Sequence, residues 1–168
     1  MRAMGRREFL IYNAFEFLGE KANMRTLDDR INFQKRVYFL QHFAGGLDYD
    51  FGWYTYGPYL YDVTLAGYRV QAWQNSKIEV PEMTQLPKDT LEQYRDFLTE
   101  TRSMSDKGER YWVELLSSLH FLYVASNPRP YDKEKTFDTL ELIKPGRFSE
   151  EDKGRAWELL GKYNLIHS

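Results

Sequence analysis

The chain has no cysteine among its 168 residues, and this absence removes several kinds of chemistry. Disulfide bonds, thiol catalysis and cysteine-ligated zinc or iron–sulfur centres are excluded. Histidine is also scarce, because His42, His120 and His167 are the only three and lie far apart in the sequence. The chain has no His-Glu-x-x-His pair, which would mark a zinc site. We therefore expect no bound metal.

Long apolar runs and the common catalytic motifs are missing as well. No stretch approaches the roughly 18 apolar residues that a membrane helix needs. Asn13 and Glu16 interrupt the segment after the basic N-terminus, unlike the apolar stretch of a signal peptide. We expect a cytoplasmic protein without a membrane partner. A nucleophile elbow, a phosphate loop and a dinucleotide fingerprint are absent, so we predict no catalytic residue and no cofactor.

The composition indicates a globular domain, since 42% of the residues are hydrophobic and 29% are charged. Helical spacing of apolar residues dominates the sequence. We predict a mainly α, compact domain of six to seven helices with at most a short β-hairpin near the Tyr-Gly-Pro-Tyr turn. The predicted helices cover residues 8–19, 26–44, 58–74, 88–102, 107–125, 132–143 and 149–163. The strand candidates are residues 51–56, 77–80 and 165–167.

A proline-containing segment, residues 126–131, reads as a linker. It separates a main helical domain, residues 1–131, from a C-terminal helical hairpin, residues 132–168, which packs on it within one structural domain. The last predicted helix carries an apolar stripe, which either packs against the main body or supplies a homodimer contact. The stripe consists of Ala156, Trp157, Leu160 and Tyr163.

The second predicted helix has the pattern of a central helix. Thr26 is a plausible N-cap, and Asp28 and Asp29 follow in the first turn, where the helix dipole favours acidic side chains. Apolar residues then cover more than a third of the circumference. Gln34 and Gln41 fall inside that arc and need buried hydrogen-bond partners. On a purely structural interpretation, tyrosine hydroxyls of the next segment supply those partners and the tyrosine rings fill the core.

A functional interpretation of the same segment is that the aromatic turn and the edge of this helix form a binding surface. Gly57 permits a sharp chain reversal, and Pro58 is expected to begin the third helix. The ammonium of Lys35 can meet an anionic partner, and Asp62 either pairs with Lys35 or Arg36 or favours a helix N-terminus. The candidate surface comprises Gln34, Lys35, Tyr38, Trp53, Tyr54, Tyr56, Gly57, Pro58, Tyr59 and Asp62.

Two stretches of this region, RINFQKRVYFLQ and FGWYTYGPYLYDV, resemble the signature of the uncharacterised YwgA-like proteins. More distantly they are similar to the Panacea (SocA-like) antitoxin domain, in which a Lys-Leu-Gln-Lys-type helix precedes an aromatic-Tyr-Gly-Pro turn. Panacea members usually have leucine at the position of Phe33 and valine after the Gly-Pro pair, so the YwgA-like group is the closer match. The matched positions are Gln34, Lys35, Tyr38, Leu40, Trp53, Tyr56, Gly57, Pro58 and Tyr59.

The resemblance extends over most of the chain, from about residue 25 to residue 166. Residues 111–123 look like the second apolar helix of the YwgA-like group, and residues 142–166 look like its closing helix and apolar tail. The YwgA-like proteins have no established activity to transfer. Panacea domains resemble antitoxin or adaptor modules that bind other proteins, so the resemblance implies a binding role with a protein partner.

Two other functions are carried as alternatives. The first is a DNA-binding regulator of helix-turn-helix or winged-helix type, for which the basic residues are Arg2, Arg6, Arg7, Arg25 and Arg30. Against it, the second and the last predicted helices both begin with acidic residues, which repel phosphates. The second is an enzyme, for which the least implausible acid–base set is Tyr56, Lys35 and Asp62. We favour a non-catalytic protein-interaction or regulatory module.

Overall fold

The computed structural model describes residues 5–79, 86–104, 106–125 and 132–167. These ranges contain seven helices and one two-stranded antiparallel sheet. The predicted mainly α class with a short hairpin is therefore confirmed. In chain order the elements are α1 (Arg6–Leu18), α2 (Leu27–Ala44), β1 (Gly52–Tyr54), β2 (Gly57–Tyr59), α3 (Tyr61–Ser76), α4 (Lys88–Ser103), α5 (Glu109–Ala125), α6 (Lys133–Ile143) and α7 (Glu150–Lys162).

The acidic starts of α2 and α7 have local structural explanations. The Thr26 hydroxyl accepts a hydrogen bond from the Asp29 N–H at 3.1 Å, and the Asp29 carboxylate accepts one from the Thr26 N–H at 3.1 Å. This reciprocal capping box confirms Thr26 as the N-cap. Ser149 caps α7 through a single bond, in which its hydroxyl accepts from the Asp152 N–H. Acidic residues in these first turns also complement the helix dipole.

The central position of α2 follows from its apolar circumference. It packs against α3, α4 and α5, and Phe33, Val37 and Phe39 are almost completely buried. The Phe39 ring lies 4.8 Å from that of Phe97 on α4. Burial of this much apolar area on several sides holds α2 at the centre of the fold.

The buried glutamines of α2 form hydrogen bonds with backbone groups and not with the tyrosine hydroxyls that the sequence suggested. The Gln34 amide donates to the Leu60 carbonyl at 2.8 Å and accepts from the Leu60 N–H at 3.2 Å. Gln41 donates to the Tyr49 carbonyl and accepts from the Tyr49 N–H. The expected tyrosine hydroxyl partners are therefore wrong. A side-chain amide carries one donor and one acceptor side, so it pairs with a whole peptide unit in the irregular segments after α2.

The Gly-Pro step lies in the hairpin, and the expectation that Pro58 begins the third helix is wrong. Pro58 belongs to β2 and pairs with Trp53 of β1, and the helix begins three residues later at Tyr61. Gly57 has φ +96°, so the chain reverses tightly and the next residues fold back onto β1. Cross-strand pairing therefore overrides the usual preference of proline for a helix start.

The two weaker strand candidates do not form strands within the described residues. Lys77 is the left-handed C-cap of α3, with φ +50°, while residue 80 lies outside the described ranges. The Leu165 N–H donates to the Leu160 carbonyl at 2.9 Å in the turn that follows the end of α7, and residues 165–167 are not part of a strand.

The C-terminal helices α6 and α7 pack against α5. The Trp157 ring lies 5.8 Å from Tyr123 and 5.7 Å from Phe137, and Ala156 and Leu160 are fully buried. The apolar stripe of α7 therefore packs against the main body. The proposed linker, residues 126–131, lies outside the described ranges. Along the part of the chain that the structure describes, no helix is both long and apolar enough to cross a membrane.

Candidate functional site

A pocket of about 280 Å³ lies between the N-terminal half of α2 and the β1–β2 hairpin. We call it the hairpin pocket. It brings together five residues of the candidate surface, together with Arg30 from the alternative nucleic-acid set. These residues are Arg30, Gln34, Lys35, Tyr54, Tyr56 and Tyr59. Helix α2 contributes the first three and the hairpin contributes the tyrosines.

The other candidate residues lie outside the lining. The side chain of Tyr38 is buried, and its hydroxyl lies 2.6 Å from Nδ1 of His120, so Tyr38 belongs to the core. Trp53 packs its ring against Phe121 at 5.7 Å. Gly57 and Pro58 are buried residues of β2.

Asp62 lies apart from Lys35. It occupies the first turn of α3 and lines a different depression, next to Arg7 and Arg69. Arg36, its other possible partner, pairs with Glu20 at 3.4 Å. The helix-terminus role is therefore the one that the position of Asp62 supports, and the acid–base set of Tyr56, Lys35 and Asp62 does not converge.

Lys35 forms the polar floor of the hairpin pocket. Its side chain is 1% exposed, and its ammonium donates a hydrogen bond to the Pro58 carbonyl at 2.5 Å. No carboxylate of the described residues lies within ion-pair distance of Nζ. Burial and the neighbouring Lys144 ammonium lower the pKa of Lys35 to about 7, while Glu114 acts in the opposite direction. Burial therefore favours the neutral amine of Lys35 more than it would at an exposed lysine.

Close packing under the hairpin explains why glycine occupies position 57. A Cβ atom on Gly57 would lie 2.7 Å from Oγ of Ser118 and 3.6 Å from Nζ of Lys35. The left-handed φ of Gly57 adds a second restriction on any other residue. Oγ of Ser118 is buried and has no hydrogen-bond partner among the described residues. The backbone of β2 thus rests directly on α5 and on the amine of Lys35.

A buried ionic cluster lies beside this floor, and the sequence analysis did not identify it. Glu114 on α5 is fully buried and accepts hydrogen bonds from Nε of Arg147 at 2.7 Å and Nη2 at 3.1 Å. Nζ of Lys144 lies 3.7 Å from Glu114 and 5.3 Å from the centre of the Trp53 ring. We call Glu114, Lys144 and Arg147 the Glu114 cluster. The one sequence feature that indicates a buried charge here is the single carboxylate within the apolar run WVELL.

The rim of the hairpin pocket is aromatic and partly exposed. Tyr54 is 57% exposed and Leu27 is 49% exposed, which is high for large apolar side chains. The Tyr54 ring lies 5.1 Å from that of Tyr59. The guanidinium of Arg110 lies 4.8 Å from the centre of the Tyr56 ring and holds that ring from the other side.

The arginines of the alternative nucleic-acid set do not converge on one depression. Arg30 donates to the Met24 and Arg25 carbonyls and lines the hairpin pocket. Arg25 lines a second depression, and Arg6 and Arg7 line a third, beside Asp62. Arg2 lies outside the described residues.

Two histidines that are distant in sequence contact each other, His120 from within the core and His42 from its exposed edge. The rings of His42 and His120 lie 4.4 Å apart, and burial lowers the pKa of His120 to about 3. His120 is 2% exposed, so it belongs to the core. Within residues 5–79, 86–104, 106–125 and 132–167, no group of three histidine or carboxylate side chains is arranged to hold a metal.

Comparison of the chain with protein-family models, with curated proteins and with solved structures gives no match. The resemblance to the YwgA-like proteins and the Panacea domain therefore stays a prediction. The geometry of the hairpin pocket is consequently the basis on which a function is inferred.

Replacing Lys35 by methionine is expected to stabilise the fold. The pKa of Lys35, about 7 in the folded state, lies below its ordinary value of 10.5, so wild-type stability rises with pH between these values. At pH 6 the Lys35 amine is protonated in both states, so the folded state bears the whole free-energy cost of burying a charge. Lys35→Met removes that charge and should raise the unfolding free energy by about 1–4 kcal/mol. Urea titrations at pH 6, 8 and 10 should show this gain shrinking as pH rises.

The control for this comparison is Lys21→Met, which removes an exposed ammonium. It should change the unfolding free energy by less than about 0.5 kcal/mol at every pH. A Lys35→Met variant that is less stable than the wild type at pH 6, or whose gain is independent of pH, contradicts the description of Lys35 as an unpaired buried amine.

Proposed function

We propose that this protein is a non-catalytic, cytoplasmic interaction or regulatory module that binds a protein partner through the hairpin pocket. The observation that carries the proposal is the pairing of exposed rim residues, Tyr54 and Leu27, with a pocket that has Lys35 at its floor. The antitoxin and adaptor role implied by the resemblance to the Panacea domain belongs to the same class.

The composition of the rim supports protein recognition. Tyrosine and arginine are enriched at the energetic centres of protein interfaces, where ring and guanidinium surfaces are buried together. The hairpin pocket presents Tyr54, Tyr56 and Tyr59, with Arg30 at its edge and Arg110 behind Tyr56. A cluster of partly exposed apolar side chains of this kind is typical of a binding surface.

The pocket is also held rigidly. The Gln34 amide donates to the Leu60 carbonyl and to the Thr64 hydroxyl, at 2.8 and 2.7 Å, and so ties α2 to the residue that follows the hairpin. Lys35 ties α2 to Pro58. These buried bonds fix the pocket walls before a partner arrives, which reduces the entropy lost on binding.

Photocrosslinking tests the proposal in cells. A Tyr54→benzoylphenylalanine variant should give a discrete protease-sensitive adduct with another protein, because its side chain points out of the rim. Tyr68→benzoylphenylalanine is the matched control, since Tyr68 is an exposed tyrosine on α3 that does not line the pocket. The control should give no adduct of the same size.

Other results of this experiment favour the alternatives. An adduct that nuclease removes supports the DNA-binding regulator, and an adduct of twice the mass of the chain supports a homodimer. Equal adducts at positions 54 and 68, or none at position 54, contradict recognition through the hairpin pocket.

A further inference from the structure

We propose, on the basis of the function proposed above, that the hairpin pocket recognises a carboxylate attached to an apolar or aromatic group, and that Lys35 is the counter-ion of that carboxylate. On a protein partner, such a group is either an acidic side chain next to apolar residues or the C-terminal carboxylate of an apolar residue.

The charge balance beneath the pocket is the first argument. Lys35, Lys144 and Arg147 surround one carboxylate, that of Glu114. Both oxygens of Glu114 are already engaged by Arg147, and Lys144 lies 3.7 Å from one of them. No described carboxylate remains for Lys35. A buried amine without an ion-pair partner is costly to keep, and an incoming anion would remove that cost.

The apolar walls are the second argument. Leu27, Ile31 and the tyrosine rings form the sides of the pocket, so the occupant needs apolar surface as well as charge. A volume of about 280 Å³ is at the lower end of ligand pockets and suits one side chain or a small aromatic acid. The pocket therefore selects an amphipathic group with a single charged end.

The single buried cation favours a carboxylate over a phosphate. A phosphate dianion needs several convergent donors, whereas the floor of the pocket provides one buried amine, that of Lys35. Arg30 also lines the pocket and uses Nη1 for the Met24 and Arg25 carbonyls. A monoanion matches one buried cation at the floor.

Binding of a carboxylate should be coupled to protonation of Lys35. The charged groups around Lys35 are Glu114, Lys144 and Arg147 beneath it and Arg30 on its own helix, and the titratable phenols of Tyr56 and Tyr59 face it from the hairpin. The pKa of Lys35 is about 7 without ligand, and a bound anion raises it. Affinity should therefore fall by up to about tenfold per pH unit above pH 7.

A pair of probes that differ only in charge tests the proposal. Wild-type protein labelled with ¹⁵N is titrated with 3-phenylpropionate and with 3-phenylpropanamide at pH 6, and amide shifts are followed by NMR. The acid should perturb the amides of Lys35, Tyr54 and Tyr56 and bind at least about tenfold more tightly than the amide. N-Acetylphenylalanine and an acetyl-Leu-Glu amide then distinguish a C-terminal carboxylate from a side-chain carboxylate.

Matched variants complete the test. Lys35→Met should lose the preference for the acid, while its amide resonances away from the pocket stay at their wild-type positions. Lys21→Met should retain the preference for the acid. The carboxylate proposal is overturned if the acid and the amide bind equally well, or if neither probe binds. It is also overturned if Lys35→Met binds the acid as tightly as the wild type does, or if the acid perturbs only residues outside the pocket. The proposed function fails separately, through the crosslinking result at position 54, which needs no assumption about the charge of the occupant.

Discussion

Replacing Glu114 by alanine is expected to lower the free energy of unfolding by about 3–5 kcal/mol. Glu114 is fully buried and provides the carboxylate of the Glu114 cluster. Its removal leaves the Lys144 ammonium, which is 9% exposed as a residue, without an anion, and leaves Arg147 without its two hydrogen bonds. Urea denaturation followed by circular dichroism at pH 7 measures the loss.

Glu158→Ala is the matched control for this prediction. Glu158 is an exposed glutamate on α7, so its replacement should change the unfolding free energy by no more than about 0.5 kcal/mol. A loss below about 1 kcal/mol for Glu114→Ala would show that the cluster does not hold α5 against the segment between α6 and α7.

The second large effect is acid destabilisation through His120. The pKa of His120 is about 3 in the folded state, below its ordinary value of 6.5, because the ring is buried. The contribution of His120 to the unfolding free energy is therefore fully present above pH 6.5 and is lost as pH falls toward 3. In that range the unfolded chain binds a proton at His120 and the folded chain does not. Between pH 7 and pH 4 this site should cost about 3 kcal/mol.

A His120→Gln variant isolates this contribution. Glutamine retains a polar group opposite the Tyr38 hydroxyl but does not titrate, so the variant should lose about 3 kcal/mol less stability than the wild type between pH 7 and pH 4. Urea titrations at both pH values give the difference. Burial also lowers the pKa of the neighbouring His42, to about 4. More than a third of the His42 residue is exposed, so solvent screens its charge and we assign the larger part of the effect to His120.

His167→Gln is the control, because His167 is exposed near the C-terminus. It should leave the pH dependence of stability as it is in the wild type. If His120→Gln follows the wild-type curve down to pH 4, burial does not keep His120 neutral in the folded chain.

The features that could be predicted from the sequence are those that nearby residues determine. The apolar circumference of α2 predicted a central helix, and Thr26 with Asp29 predicted its start, because both depend on residues within one element. Gln34 and Lys35 were grouped with the tyrosines of the hairpin because only about 20 residues separate them. The structure places these residues around one pocket.

The features that could not be predicted depend on contacts between distant elements. Glu114 is far in sequence from Arg147, and nothing in either segment indicates that the two side chains meet. Pro58 follows a glycine in a pattern that fits a helix start, and only pairing with Trp53 places it in a strand. The partners of Gln34 and Gln41 were misassigned because the irregular backbone near Tyr49 and Leu60 competes with tyrosine hydroxyls for a buried amide.

The central claim is that the hairpin pocket, with Lys35 at its floor, is the recognition site. The most direct test compares capture of the crosslinked partner by the wild-type protein and by Lys35→Met, after urea titration has shown that the variant is at least as stable. We predict that the variant loses the partner although its fold is intact, so that unfolding cannot explain the loss. Full retention of the partner by a stable Lys35→Met variant would contradict the claim.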